Sequence, residues 1–172
     1  MKWDVLCLGE ALLEFNQIQD GAKKTFSTGF GGDTSNTAIS VARQGMFAGF
    51  LSKVGKDQFG RELLELWKRE SVDYSNVSVH PEAPTGIYFV THDTDGHHFN
   101  YYRSGSAACQ MTPLDLPKDD LVQTRILHLS AITQAISESS CKTSFAAIHQ
   151  ARKHGVKAVS YTHLTLPTIL LV

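Results

Sequence analysis

Two stretches carry residue types that could do chemistry together. The first reads Phe30-Gly31-Gly32-Asp33-Thr34-Ser35-Asn36. It lies between a polar strand pattern and an apolar helical one. Paired glycines let the backbone approach a ligand, because no Cβ intervenes. The helix start that follows offers free N–H groups and the positive end of a dipole. Asp33, Thr34, Ser35 and Asn36 add carboxylate, hydroxyl and amide groups within one turn, a set suited to a polyhydroxylated ligand. The run is neither G-x-G-x-x-G nor a phosphate-binding loop, since no Gly-Lys-Ser/Thr follows. A plain helix cap with a tight turn explains the same residues.

The second stretch holds Tyr101 and Arg103. Two apart on a strand, they face one way. Arg103 can bond a carboxylate in bidentate fashion, and a phenol can donate to a hydroxyl or keto oxygen. Tyr88, on the partner strand of a hairpin, can join them. A surface arginine beside cross-strand aromatic packing is the competing reading. Other candidates are weaker. His92, His97 and His98 cluster near the hairpin turn, but no ligand pattern completes a metal site. His128 lies in an apolar strand and reads as a core histidine. Glu10 and Glu14 flank the first turn and can face a pocket, but lack the spacing of a catalytic pair. No Ser-His-Asp or Cys-His arrangement stands out.

The elements that position these groups follow from periodicity. Val5 to Leu8 is a short apolar run, a buried parallel strand. Leu12 to Phe15 and Thr25 to Thr28 read as short, half-exposed strands. Ala38, Val41 and Ala42 fall at helical spacing, with Gly45 as the stop. Phe47 to Val54 is a strand. Phe59, Leu63, Leu66 and Trp67 make residues 57 to 69 an amphipathic helix. Thr85 to His92 and His98 to Arg103 form a hairpin around Asp93-Thr94-Asp95-Gly96. Ile126 to Leu129 is a third apolar strand. A helix follows over about 138 to 153, with Cys141, Phe145, Ile148 and Arg152 along one side and Gly155 as its stop. Val156 to Val159 begins another strand. Alternating strands and helices mean a parallel α/β sheet. The hairpin and the early short strands fall outside that alternation and predict a small β-lid, from about residues 11–30 and 85–103.

Bulk properties agree with a cytosolic protein. The chain has 172 residues, of which 42% are hydrophobic and 19% charged, and a net charge of −1. That charge gives no field for nucleic acid or an anionic membrane. No signal peptide or membrane-spanning run is evident. The three cysteines, Cys7, Cys109 and Cys141, are widely spaced and read as reduced thiols. The final 13 residues, 160–172, depart from the pattern of 1–159. They run through Thr and Leu to Pro167 and stop in Ile169-Leu170-Leu171-Val172. They read as a non-native tail, similar to translated adapter sequence, and are set aside from the fold.

Taken together, several segments resemble the ribokinase-like, or PfkB, carbohydrate kinases. They are Cys7-Leu8-Gly9-Glu10, Gly31 to Ala38 with Ala42-Arg43-Gln44-Gly45, and Val54 to Gly60. Thr85-Gly86-Ile87-Tyr88, Tyr101 to Ala108 and His128 to Thr133 look most like the 2-keto-3-deoxygluconate kinases. The resemblance covers nearly all of residues 3 to 159. It implies a Rossmann-like parallel sheet with helices on both faces and a β-lid that often joins subunits of a homo-oligomer. It implies transfer of the ATP γ-phosphate, with Mg²⁺, to the C6 hydroxyl of the sugar acid. By the same resemblance Gly32 and Asn36 hold the sugar acid, Tyr88 and Tyr101 contact it, Arg103 binds near its carboxylate, and Ile132 lines the pocket.

The family's Asp-x-Asn-x-Arg stretch is replaced here by Ser160-Tyr161-Thr162-His163, and its Gly-Ala-Gly-Asp motif, with the general-base Asp, is absent. The expectation is therefore an N-terminal fragment with no catalytic residue of its own, no bound ATP or Mg²⁺, no phosphoryl transfer and poor independent folding. Fructokinase or another PfkB sugar kinase is the alternative within the class. A non-catalytic sugar-acid-binding or oligomerisation module, and a remnant that binds nothing, are the alternatives outside it.

Overall fold

The computed structural model describes residues 1–20, 23–117 and 119–161. Residues 162–172 of the expected foreign tail lie outside the described residues, whereas Ser160 and Tyr161 continue a strand. Alternation along β1 (Trp3–Leu8) organises the molecule: Leu6 and Leu8 point to one side, Cys7 to the other, and all three are fully buried. β1 pairs in parallel with β4 (Ala48–Gly55) and β8 (Thr124–Ser130); β5 (Asp73–His80) and β9 (Lys157–Tyr161) complete a five-stranded parallel sheet ordered β5-β4-β1-β8-β9. Helices α1 (Asp33–Arg43) and α2 (Gln58–Arg69) cover one face over Cys7, Ala38, Phe50, Leu63 and Trp67. Helix α4 (Glu138–Lys153), reached through the short α3 (Ala131–Ala135), covers the other over Leu6, Leu8, Leu127 and Leu129. Strands buried on both faces account for the near-continuous apolar runs in the sequence.

A second, four-stranded sheet stands apart, in the order β3-β2-β6-β7. β2 (Leu12–Asp20) and β3 (Lys23–Gly31) form one hairpin; β6 (Ile87–Asp93) and β7 (Gly96–Tyr102) form the other. β2 and β6 join them in parallel. The first hairpin is longer than the short strands expected, because Leu12 to Asp20 pair continuously with Gly31 to Lys23.

Three expectations need correction. Arg103 lies just past β7 and is not on the strand, so its relation to Tyr101 does not come from pleat alternation. β5 was not anticipated: it is a half-exposed edge strand whose Ser and Asn residues hide the alternation. The buried face of α4 is Ser140, Thr143, Ser144, Ala147 and Ala151, whereas Phe145 is 59% exposed. Small residues let α4 lie close to the sheet. Their hydroxyls are satisfied by carbonyls, Ser140 Oγ on Ala108 at 2.9 Å and Thr143 Oγ1 on Met111 at 3.0 Å.

Asp57 ties α2 to the start of the second hairpin. It caps α2 by accepting from Gly60 N at 2.7 Å, and it accepts from Thr85 N at 2.7 Å and Thr85 Oγ1 at 2.8 Å. Burial would raise its carboxyl, but the Thr85 and Gly60 hydrogen bonds outweigh that and hold it below the usual aspartate range. A depressed folded pKa contributes stability above the ordinary aspartate value that is lost as pH falls through the lowered one. Asp57→Ala is therefore expected to cost about 1–2 kcal/mol near neutral pH in urea unfolding. The gap from wild type should close below the acid transition; a loss that persists unchanged there would mean the carboxylate charge plays no part.

Candidate functional site

The site lies beyond the C-terminal ends of the parallel strands, where open α/β sheets bind ligands. There β1 gives way to Gly9 and Glu10, α1 begins, and the smaller sheet folds over. A cavity of about 250 Å³ is lined by Glu10, Leu12, Gly32, Asp33, Asn36, Tyr88, Phe99, Tyr101, Arg103 and Ile132. It thus gathers seven of the eight residues picked from the sequence. Gly31 is not in its lining; it backs onto Tyr88, where a Cβ would stand 2.5 Å from the phenol oxygen.

The floor is the glycine turn. Gly32 has φ +119° and ψ 114° and precedes the first residue of α1. A Cβ at Gly32 would sit 2.5 Å from the Glu10 carbonyl oxygen, so the turn and the end of β1 pack backbone to backbone. Asp33 Oδ1 accepts from Thr34 N at 2.7 Å. Asp33 Oδ2 is buried and has no hydrogen-bond partner among the described residues. An unpaired buried acceptor is costly, and a ligand hydroxyl would satisfy it. Asn36 is exposed along the same wall.

Asp33 also acts at a distance. Burial, aided by its charge, pushes the Cys7 thiol well up, so Cys7 is no nucleophile. Burial lowers His128 below the ordinary histidine value, against the pull of Asp33.

The roof is aromatic. Tyr88 and Tyr101 are directly opposite on β6 and β7 and stack with centroids 5.4 Å apart. Phe99 continues the row. The Tyr88 hydroxyl donates to Glu14, and burial with that bond pushes its pKa well above the usual phenol value. The Arg103 guanidinium lies over the Tyr101 ring, 4.7 Å from its centroid, and Arg103 Nη1 bonds Glu10 Oε2 at 3.1 Å. Sugar rings and aliphatic carboxylates suit such a wall, which offers an apolar face and a cation together.

Leu12 and Phe99 line the cavity without having been picked from the sequence, and Glu10 was weighed there only as a residue that could face a pocket. Phe99 alternates with Tyr101 along β7, and that spacing was available as a signal. Glu10 follows the first parallel strand, and the rule for strand C-terminal ends points to it. The histidines at the hairpin tip pair elsewhere: His92 Nδ1 lies 2.6 Å from His97 Nδ1, and His98 bonds Asp93 at 2.8 Å. Among the described residues no three His, Cys, Asp or Glu groups converge as a metal site.

Comparison with known proteins agrees with this architecture. The pfkB family carbohydrate kinase profile matches residues 2–169. The chain is 33% identical over 174 residues to a 2-dehydro-3-deoxygluconokinase of Bacillus subtilis, covering 98% of this chain and 53% of the relative. It is 31% identical to the 2-dehydro-3-deoxygluconokinase of Thermoproteus tenax, covering 87% of this chain and 48% of the relative. A fructokinase-2 of Solanum lycopersicum is 29% identical over 95% of this chain and 51% of its own length. Among solved structures, the PfkB protein of Polaromonas sp. JS666 superposes with a TM-score of 0.89 at 30% identity, covering 95% of this chain and 56% of that one. The fold is the ribokinase-like α/β fold, and the chain belongs to the pfkB family of carbohydrate kinases. It spans about half the length of the curated relatives it matches.

Proposed function

We propose that these residues form the sugar-binding half of an ATP-dependent kinase that phosphorylates 2-keto-3-deoxygluconate at its C6 hydroxyl. The observation that carries this reading is a cation, Arg103, in the wall of a monosaccharide-sized cavity otherwise lined by hydrogen-bonding and aromatic groups. In this reading Arg103 and Tyr101 take the acid end. Gly32, Asp33 and Asn36 take hydroxyls, with Asp33 Oδ2 as the waiting acceptor. Tyr88 and Ile132 pack against the carbon chain.

Among the described residues no cluster of three metal-ligating groups is present to suit Mg²⁺ and none is assigned to a nucleotide, so no step of phosphoryl transfer is derived from them. Both would belong to sequence that the longer relatives have in addition, and the general base with them. The 172-residue chain alone is then expected to bind without turning over ATP. A homo-oligomer joined through the smaller sheet fits this reading, supported by the exposed Ile18, Phe26, Phe99 and Tyr102 on that sheet. A cytosolic setting also belongs to it. No described helix is long and apolar enough to cross a membrane.

One observation favours a neutral sugar such as fructose instead: Arg103 is already paired with Glu10, and Asp33 adds a second carboxylate to the lining. Substitution of Arg103 separates the two. Arg103→Met is expected to weaken 2-keto-3-deoxygluconate binding about 100-fold in calorimetry, because two charge-assisted hydrogen bonds are lost, and to leave fructose affinity within about threefold. Equal losses for both ligands would remove the sugar-acid assignment. Binding without ATP consumption by a longer protein that carries the additional sequence of the relatives would instead favour the non-catalytic module.

A further inference from the structure

Glu10 has no part in the assignments above, yet its surroundings are built around it. It sits where the chain leaves β1 for β2 and is 4% exposed. Its two oxygens have separate partners: Oε2 accepts from Arg103 Nη1 at 3.1 Å and Oε1 from the Ser106 hydroxyl at 3.1 Å. Gly86 makes room for it, since a Cβ there would stand 2.9 Å from Glu10 Oε1. Arg103 is held at its other end too. Its carbonyl accepts from Ser106 N at 2.9 Å and from the Cys109 thiol at 3.1 Å. Its guanidinium rests on Tyr101. Arg103 is therefore fixed at the backbone, on its face and along one edge, while it still lines the cavity.

We infer that Glu10 is a positioning residue: it aims Arg103 at the carboxylate of a sugar acid and so sets the preference of the cavity for acid over neutral sugar. The inference rests on the sugar-acid reading above. An arginine loses much rotamer freedom when it binds a ligand. Here Glu10 and Tyr101 remove that freedom before the ligand arrives, which is preorganisation. The guanidinium has five donors and Glu10 engages one, so a second carboxylate can be bonded along another edge.

The energetics argue against a merely structural role. Burial raises the Glu10 carboxyl above the ordinary glutamate range, although Arg103 and Ser106 oppose the shift; the Asp33 charge adds slightly to it. A raised folded pKa means that the fold prefers the neutral form. The penalty for the charge is absent below the ordinary glutamate value and grows as pH rises through the raised one. A neutral side chain of the same shape would suit the fold at least as well near neutral pH. Arg103 retains some exposure and would not be stranded without Glu10. A carboxyl that burial disfavours as a charge, held beside the cation of a cavity, marks a functional group.

Glu10→Gln in the intact protein tests this. Affinity for 2-keto-3-deoxygluconate should fall about tenfold while fructose affinity stays within about twofold. The melting temperature at neutral pH should not drop. The Arg103 guanidinium signals in ¹⁵N NMR of the ligand-free protein should change from slowly rotating to averaged. Acid and fructose weakening together, acid affinity unchanged or improved, or a lower melting temperature would each overturn the inference. If the wild type binds no sugar acid, the substrate reading fails by itself. The NMR comparison then decides the positioning role: loss of Arg103 order in the variant supports it, and unchanged order overturns it.

Discussion

Gly32→Ala should lower the melting temperature by about 6–12 °C and abolish measurable sugar-acid binding. Two independent costs meet at this residue. Its backbone, φ +119° and ψ 114°, lies where L side chains are strained by about 1–3 kcal/mol. The added Cβ would also come within 2.5 Å of the Glu10 carbonyl oxygen and 3.0 Å of Ala11 Cα. Both neighbours are backbone atoms at the end of β1 and cannot rotate away. A combined loss of about 3 kcal/mol converts to that temperature shift for a domain of this size. Gly45→Ala is the internal reference: φ is +79°, but nothing lies within 4 Å of the new Cβ. It should cost only about 1 kcal/mol, or about 2–4 °C. Equal shifts for the two variants would mean that crowding at the Gly32 turn is not what fixes the cavity floor.

Trp67→Ala should destabilise the protein by about 3–5 kcal/mol in urea unfolding. Trp67 is among the largest fully buried side chains, and it packs on Phe50 with centroids 4.8 Å apart. Its indole N–H donates to Ser35 Oγ at 2.9 Å, and Ser35 is itself buried in the first turn of α1. The substitution leaves a cavity and an unpaired hydroxyl two residues from Asp33. Trp67→Phe separates these effects, keeping most of the packing and losing the hydrogen bond. It should cost about 1–3 kcal/mol. A loss below about 1 kcal/mol for Trp67→Ala would show that this face of the sheet contributes little to the core.

How much of this was legible depended on how locally each feature is encoded. The run Val5 to Leu8, the glycine stops at Gly45 and Gly155, and the stripe Phe59-Leu63-Leu66-Trp67 state their elements within a few residues. α4 was located correctly over Glu138–Lys153, but the stripe noted along it is not its buried face. The face that packs is built from Ser, Thr and Ala, which carry no hydropathic signal, and close approach of the helix is what makes them core. β5 escaped because its Ser and Asn residues blur the alternation that a half-exposed edge strand would otherwise show. The glycine turn and the Tyr101–Arg103 pair were visible as chemistry. The link from Arg103 to Glu10 spans 93 residues and leaves no local trace. Periodicity reports which face is buried, but not which charge answers which.

The parallel pairing of β2 with β6 has a consequence for how the molecule is made. Glu14 and Tyr88 are neighbours across that ladder and 74 residues apart in sequence. Once β3 has closed the first hairpin, the chain between them runs through α1, β4, α2 and β5, which belong to the large sheet or to the helices on it. Closing so long a loop is entropically expensive until the intervening chain has condensed. The two hairpins can each form alone, but they can be stitched together only after β1, β4 and β5 have brought their bases close. On that argument the aromatic roof is expected to close over the Gly32 turn after the large sheet has formed. The cavity then lies on the seam between two parts of the fold that the chain must bring together across a long loop.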